Sequence, residues 1–137
     1  MSKRFPLLVL TLDALVFLTT GLVFLFTPMR LLSHLGINSL PPEALTDIRA
    51  VYGGIELGIA AYLFSRILRL KNLHEPLLLC TLIMSAMVVT RIYGILVDGS
   101  AVRITIVLLT MEVIGTILSG AAWWQAVKNK KAATSKK

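Results

Sequence analysis

LLVLTLDALVFLTTGLVFLF, residues Leu7–Phe26, holds 14 Leu, Val or Phe residues and one ionisable side chain, Asp13. On an insertion scale each of the 14 contributes roughly −0.3 to −0.6 kcal/mol near a helix centre, and an Asp there costs roughly +3 kcal/mol. The balance favours the bilayer with margin. Twenty helical residues at about 1.5 Å each cover roughly 30 Å, the thickness of the hydrocarbon core, so the stretch reads as a membrane-spanning helix. Lys3 and Arg4 stand ahead of it as they would before a secretory leader. The run is too long for one, carries Asp13 and lacks an A-x-A cleavage site, so a retained helix is expected.

Three more apolar segments follow: Ile48–Leu68, Leu77–Val97 and Ala101–Trp124. The second is the weakest, with eight Leu, Ile, Val or Phe residues between Ala50 and Leu68 and a burden in Glu56. The same arithmetic leaves it near balance, so it depends on neighbouring helices. Composition agrees with this reading. Of 137 residues 56% are hydrophobic and 15% charged, with a mean hydropathy of +0.81. Soluble domains carry roughly 25% charged residues, so this chain is too apolar for a water-soluble monomer. We expect an all-α fold: one antiparallel four-transmembrane-helix bundle over residues 1–127, with a basic, disordered cytoplasmic tail at 128–137 that meets anionic lipid.

Charge and cysteine usage exclude other classes. The net charge is +7, but five of the 14 Lys and Arg residues fall in the last ten positions and the others are scattered. No basic patch interleaved with aromatics is available to grip nucleic acid. Cys80 is the only cysteine, so the chain alone makes no disulfide, CxxC couple or thiolate cage. His34 and His74 fall in loops on opposite sides of the membrane and cannot jointly hold a metal or haem in the bundle; no cofactor is expected.

With four spans, ten basic residues (Lys3, Arg4, Arg66, Arg69, Lys71, Lys128, Lys130, Lys131, Lys136 and Lys137) share one side, against Arg30, Arg49, Arg91 and Arg103 on or toward the other. The positive-inside rule then places both termini in the cytoplasm. Trp123 and Trp124 fall at the cytoplasmic end of the fourth span, where amphipathic rings favour the headgroup zone. Residues 97–101 (Val-Asp-Gly-Ser-Ala) form a tight turn and make the third and fourth spans a hairpin. Between the first two spans, Thr27-Pro28 reads as N-cap and first helical residue, Leu31, Leu32 and Leu35 as an apolar stripe, and Gly36 as the stop. This predicts a short interfacial helix, acting as a spacer or as a lid over a pocket. Pro41-Pro42-Glu43 then starts the second span.

Charges inside the bilayer are costly and require partners or a wet cavity. Asp13, Glu56 and Glu112 lie near the midplane on three helices, and Arg91 lies in the outer half of the remaining one. Counted from the outer ends, Arg91 is six residues deep, Glu56 eight and Glu112 eleven, or roughly 9, 12 and 16 Å. An Arg side chain reaches either acid. Helical phase groups Arg49, Tyr52, Gly53 and Glu56; Asp13, Thr20 and Thr27; Glu112 with Thr105, Thr116 and Ser119; and Cys80, Met84, Met87, Arg91, Gly94 and Asp98. Four such faces turned inward build a polar core. Ala50, Gly54 and Gly58 form a small-residue face suited to close helix contact. Gly53 and Gly54 follow no strand and precede no Lys-Ser/Thr, so helix packing explains them better than a phosphate loop.

The run Asp47-Ile48-Arg49-Ala50-Val51-Tyr52-Gly53-Gly54-Ile55-Glu56-Leu57-Gly58, with Arg91-Ile92-Tyr93-Gly94, Asp98-Gly99 and Glu112, resembles a bacterial family of small four-helix membrane proteins known as a domain of unknown function. That family is distantly similar to the DoxX-like group. The resemblance covers nearly the whole chain through an R-A-x-Y-G-G-x-x-x-G core, and it implies a bacterial inner-membrane setting without an established reaction. Its marks fall on Arg49, Tyr52, Gly53, Gly54, Gly58, Arg91, Gly94 and Glu112.

Three readings of the core remain open: an ion-pair network that fixes helix register, a binding or conduction site, and carboxylate acid–base catalysis on a lipid or isoprenoid. The candidate ligand-binding set is Arg91, Glu56, Glu112, Arg49, Tyr52 and Asp13, and the packing set is Gly53, Gly54, Gly58 and Gly94. No catalytic residue is singled out. Expected partners are membrane lipids, a small anionic or amphiphilic ligand that meets Arg91, and further copies of the chain or a larger membrane complex.

Overall fold

Six helices account for almost the whole computed structural model, which describes residues 4–70, 72–99 and 101–134. They are α1 (Arg4–Phe26), α2 (Pro28–His34), α3 (Pro42–Ile48), α4 (Ile55–Arg69), α5 (His74–Asp98) and α6 (Arg103–Thr134). A π-helical segment, Arg49–Gly54, joins α3 to α4 without a break, so Pro42–Arg69 is one long helix. Four helices are long and apolar enough to cross a membrane: Arg4–Phe26, Pro42–Arg69, His74–Asp98 and Arg103–Ala132. The four long apolar helices and the short helix between the first two agree with the sequence reading.

The turns use the expected chemistry, with one difference. Thr27 is the N-cap of α2 and Pro28 its first residue, yet the Thr27 hydroxyl donates back to the Val23 carbonyl at 3.4 Å instead of capping α2. Proline supplies the fixed φ, and its missing N–H needs no acceptor. Gly36 follows with φ +85°, a left-handed conformation that glycine adopts without a Cβ penalty. Gly99, with φ +63°, ends α5 in the same way, and its N–H bonds the Ile95 carbonyl at 3.1 Å. The α5–α6 hairpin follows from that stop.

The expected disordered tail is a correction. Residues 128–134 continue α6 as helix, while residues 135–137 lie outside the described residues. Extending a formed helix avoids the cost of nucleation, Lys and Ala are good helix formers, and cations suit a helix C-terminus.

Helix α1 is central. It packs along α4 and the π segment on one side and against α6 on the other, while α5 lies mainly on α6. The buried apolar cluster draws Leu10 and Ala14 from α1, Ala60 and Leu63 from α4, Leu77 and Cys80 from α5, and Ala122 from α6. These residues lie in the half nearer the α4–α5 turn. Beyond Met84 no residue of α5 is buried, and above Ala60 the only buried residue of Arg49–Arg69 is Gly53, which faces α1. The bundle is therefore closed at one end and open between α4 and α5 at the other.

Candidate functional site

Two polar layers cross the bundle. In the closed half, Asp13 of α1 is buried, and the buried Ser119 of α6 donates a hydrogen bond from Oγ to its Oδ2 at 2.8 Å. The Cys80 thiol lies beside the same carboxylate. Asp13, Thr20 and Ser119 share the faces that helical phase assigned to them. The pairing of Asp13 with Ser119 fixes the register of α1 against α6. Seven residues further along each antiparallel helix, about 10 Å away, it brings Thr20 level with Glu112.

The second layer lies where the bundle opens. Arg91 of α5 donates from Nε to Glu112 Oε2 at 2.8 Å and from Nη2 to Glu112 Oε1, a bidentate pair. A planar guanidinium fork matches a carboxylate in this geometry, which fixes direction as well as charge. The Glu112 side chain is 9% exposed and that of Arg91 24%, so the acid is enclosed and the cation partly reachable. The sequence reading left Arg91 able to meet Glu56, Glu112 or both. Among the described residues it pairs with Glu112 alone.

Glu56 faces α1 instead. Its Cβ lies against Gly21, the Thr20 hydroxyl lies beside its carboxylate, and its Oε2 is buried without a hydrogen-bond partner. Arg49, Tyr52 and Gly53 turn to the same helix. Arg49 Nε donates to the Leu25 carbonyl at 3.1 Å, Tyr52 stacks on Phe24 with ring centroids 5.2 Å apart, and a Cβ on Gly53 would stand 3.1 Å from the Leu25 nitrogen. The Leu25 carbonyl belongs to the last turn of α1, whose acceptors lack intrahelical donors, so Arg49 satisfies an orphan. These four residues therefore share a face, and that face meets α1 rather than the Arg91 pair. The π segment that carries the first three was not legible in the sequence; Gly53-Gly54 was its only signal. Single π turns of this kind recur at functional sites.

The glycines sort differently from expectation. Gly53 and Gly21 hold the close approach of α1 and the second span; a Cβ on Gly21 would lie 3.0 Å from the Leu57 backbone nitrogen. Gly21 was missed because a lone glycine in an apolar run carries no motif. Gly54 and Gly58 open outward, and among the described residues no other helix comes within 4 Å of a Cβ at Gly58. Gly94 faces Asp98, whose Oδ2 would stand 3.8 Å from its Cβ. Met84 is buried and packs on Gly115, where a Cβ would overlap its sulfur; this is core packing. His34 and His74 lie at opposite ends of the bundle, and among the described residues no group of three or more His, Cys, Asp or Glu could hold a metal ion.

No curated protein and no solved structure matches this chain. A family match does cover residues 7–125, and so includes α1 through the Trp123–Trp124 pair with both polar layers. The match thus takes in the long apolar helices and the Arg91–Glu112 pair, and the chain belongs to the family described as Domain of unknown function (DUF4345).

Proposed function

We propose that this chain is a non-enzymatic membrane protein that binds a small anionic or amphiphilic ligand where the bundle opens, with Arg91 as the anchoring group. The observation that carries this reading is the Arg91–Glu112 pair: it is bidentate, it lies inside span-length helices, and its cation remains 24% exposed. Guanidinium offers five N–H donors. Glu112 takes two of them, and among the described residues the others meet no acceptor. A carboxylate or phosphate from an amphiphile entering between α4 and α5 supplies one.

Acid–base catalysis on a lipid or isoprenoid is the less supported alternative. Both oxygens of Glu112 are held by Arg91, which leaves Glu56 as the one acid of this layer available to move a proton. The proposal places the protein in a bacterial inner membrane with the Lys- and Arg-rich end cytoplasmic, as charge asymmetry favours. The outward face of Ala50, Gly54 and Gly58 suits association of copies.

The test uses oleate as probe, with the full chain in neutral detergent. Wild type should bind it, and Arg91→Gln combined with Glu112→Gln, which leaves no stranded charge, should weaken binding about tenfold through loss of a charge-assisted hydrogen bond. Unchanged affinity in the double variant would remove Arg91 as the anchor.

A further inference from the structure

Asp13, Glu56 and Glu112 are carboxyls set deep within the long helices, and two of them have donors in place. Asp13 accepts from Ser119, and Glu112 accepts twice from Arg91. Glu56 differs. The residue is half-buried, and its Oε2 is fully enclosed without a hydrogen-bond partner.

The polar neighbour of Glu56 on α1 is the Thr20 hydroxyl. A hydroxyl has one proton, and this one is committed along its own helix: Thr20 Oγ1 donates to the Val16 carbonyl at 2.8 Å, with the Phe17 carbonyl at 3.4 Å as the second acceptor in reach. Toward Glu56 the Thr20 oxygen therefore presents lone pairs. An ionised carboxylate is acceptor-only, so two sets of lone pairs would face each other. A hydrogen bond between these oxygens needs a proton supplied by the carboxyl itself.

The charges around Glu56 offer no other resolution. On α1, Asp13 lies seven residues before Thr20, about 10 Å along the helix, and is itself an acid. On the second span, Arg49 lies seven residues before Glu56 and donates to the Leu25 carbonyl, while Tyr52 stacks on Phe24. On α6, Glu112 is level with Thr20 and is matched by Arg91. An ionised carboxylate enclosed in a span without a cation is costly, and a neutral acid removes that cost.

We propose that Glu56 is a proton-binding site within the second span: its carboxyl is the neutral acid at neutral pH, donates its O–H to Thr20 Oγ1, and exchanges that proton with water through the open side between α4 and α5. Intramembrane acids of this kind serve proton relays. The site is separate from ligand binding at Arg91, and either reading stands if the other fails.

Infrared spectroscopy of the full chain in neutral detergent tests it, at about pH 7.5, roughly three units above the ordinary Glu value of about 4.3. Solvated carboxyls are ionised there, and the carbonyl stretch of a neutral acid stands clear of the amide bands. Wild type should show that stretch. Glu56→Gln, which keeps the size and a donor toward Thr20, should lose about one carboxyl's intensity with its helical circular dichroism intact. Thr20→Val keeps Glu56 and removes its acceptor, so the stretch should move to higher wavenumber, as it does when a carboxyl loses a hydrogen bond. This variant decides the matter if Glu56→Gln does not fold. Transfer of wild type to deuterium oxide should shift the stretch to lower wavenumber as O–H becomes O–D. The proposal is overturned if the acid stretch keeps full intensity in folded Glu56→Gln, if Thr20→Val leaves its position unchanged, or if deuterium oxide does not move it. Loss of the stretch in Asp13→Asn but not in Glu56→Gln would overturn it too, by placing the neutral acid at Asp13.

Discussion

Removing Arg91 from its pair separates the possible roles of the polar core. Breaking a buried ion pair by deleting one partner costs about 3–5 kcal/mol, because the other charge is left uncompensated in low dielectric. Here the acid is enclosed and the cation 24% exposed, so partial solvation lowers the expected cost of Arg91→Leu to about 2–3 kcal/mol. Glu112→Leu should cost less, about 1–2 kcal/mol, because the long Arg side chain can turn toward the open side and snorkel. Replacing both by Leu leaves no buried charge and should return the protein to within about 1 kcal/mol of wild type. The assay is a double-mutant cycle of reversible unfolding in mixed micelles of rising sodium dodecyl sulfate content, followed by helical circular dichroism. A parallel cycle of Arg91→Leu with Glu56→Gln should show no rescue, since Glu56 faces Gly21 rather than Arg91. Additivity of the Arg91 and Glu112 changes to within about 0.5 kcal/mol would refute the coupling.

Three further outcomes are expected. Gly21→Val and Gly53→Val should each destabilise the fold by about 1–3 kcal/mol, since a Cβ at either meets α1 or the second span at 3.0–3.1 Å, whereas Gly58→Val should be near neutral in dilute detergent. Equal losses at Gly53 and Gly58 in the same unfolding assay would mean that Gly58 is covered by another copy. Ser119→Ala should cost about 1–3 kcal/mol by leaving the buried Asp13 carboxylate short of a donor, and a wild-type unfolding midpoint would contradict the 2.8 Å bond. In intact cells, a membrane-impermeant maleimide should label Asn38→Cys and spare Asn72→Cys until lysis, with buried Cys80 silent in both; the reverse order would invert the topology.

The spans were legible in the sequence because insertion energy is close to a sum over residues. Leu7–Phe26 needed only its 14 large apolar side chains to be read. The short helix between the first two spans was equally visible, since Pro28 fixes its own φ and Gly36 admits the left-handed conformation that follows the helix. Helical phase also placed Arg49, Tyr52, Gly53 and Glu56 on one face before any neighbour was known. Which neighbour that face meets was decided by tertiary structure alone. Glu56 and Glu112 lie at comparable depth, and both are within an Arg side chain's reach in one dimension; only the rotation of α4 toward α1, and of α5 toward α6, gives Arg91 to Glu112. The same reason separates Gly53 from Gly58, five residues along one helix: a glycine matters where another backbone arrives, and sequence spacing does not record arrivals. The π segment and the open side between α4 and α5 depend likewise on contacts between residues far apart in the chain, whose energies no local sum contains.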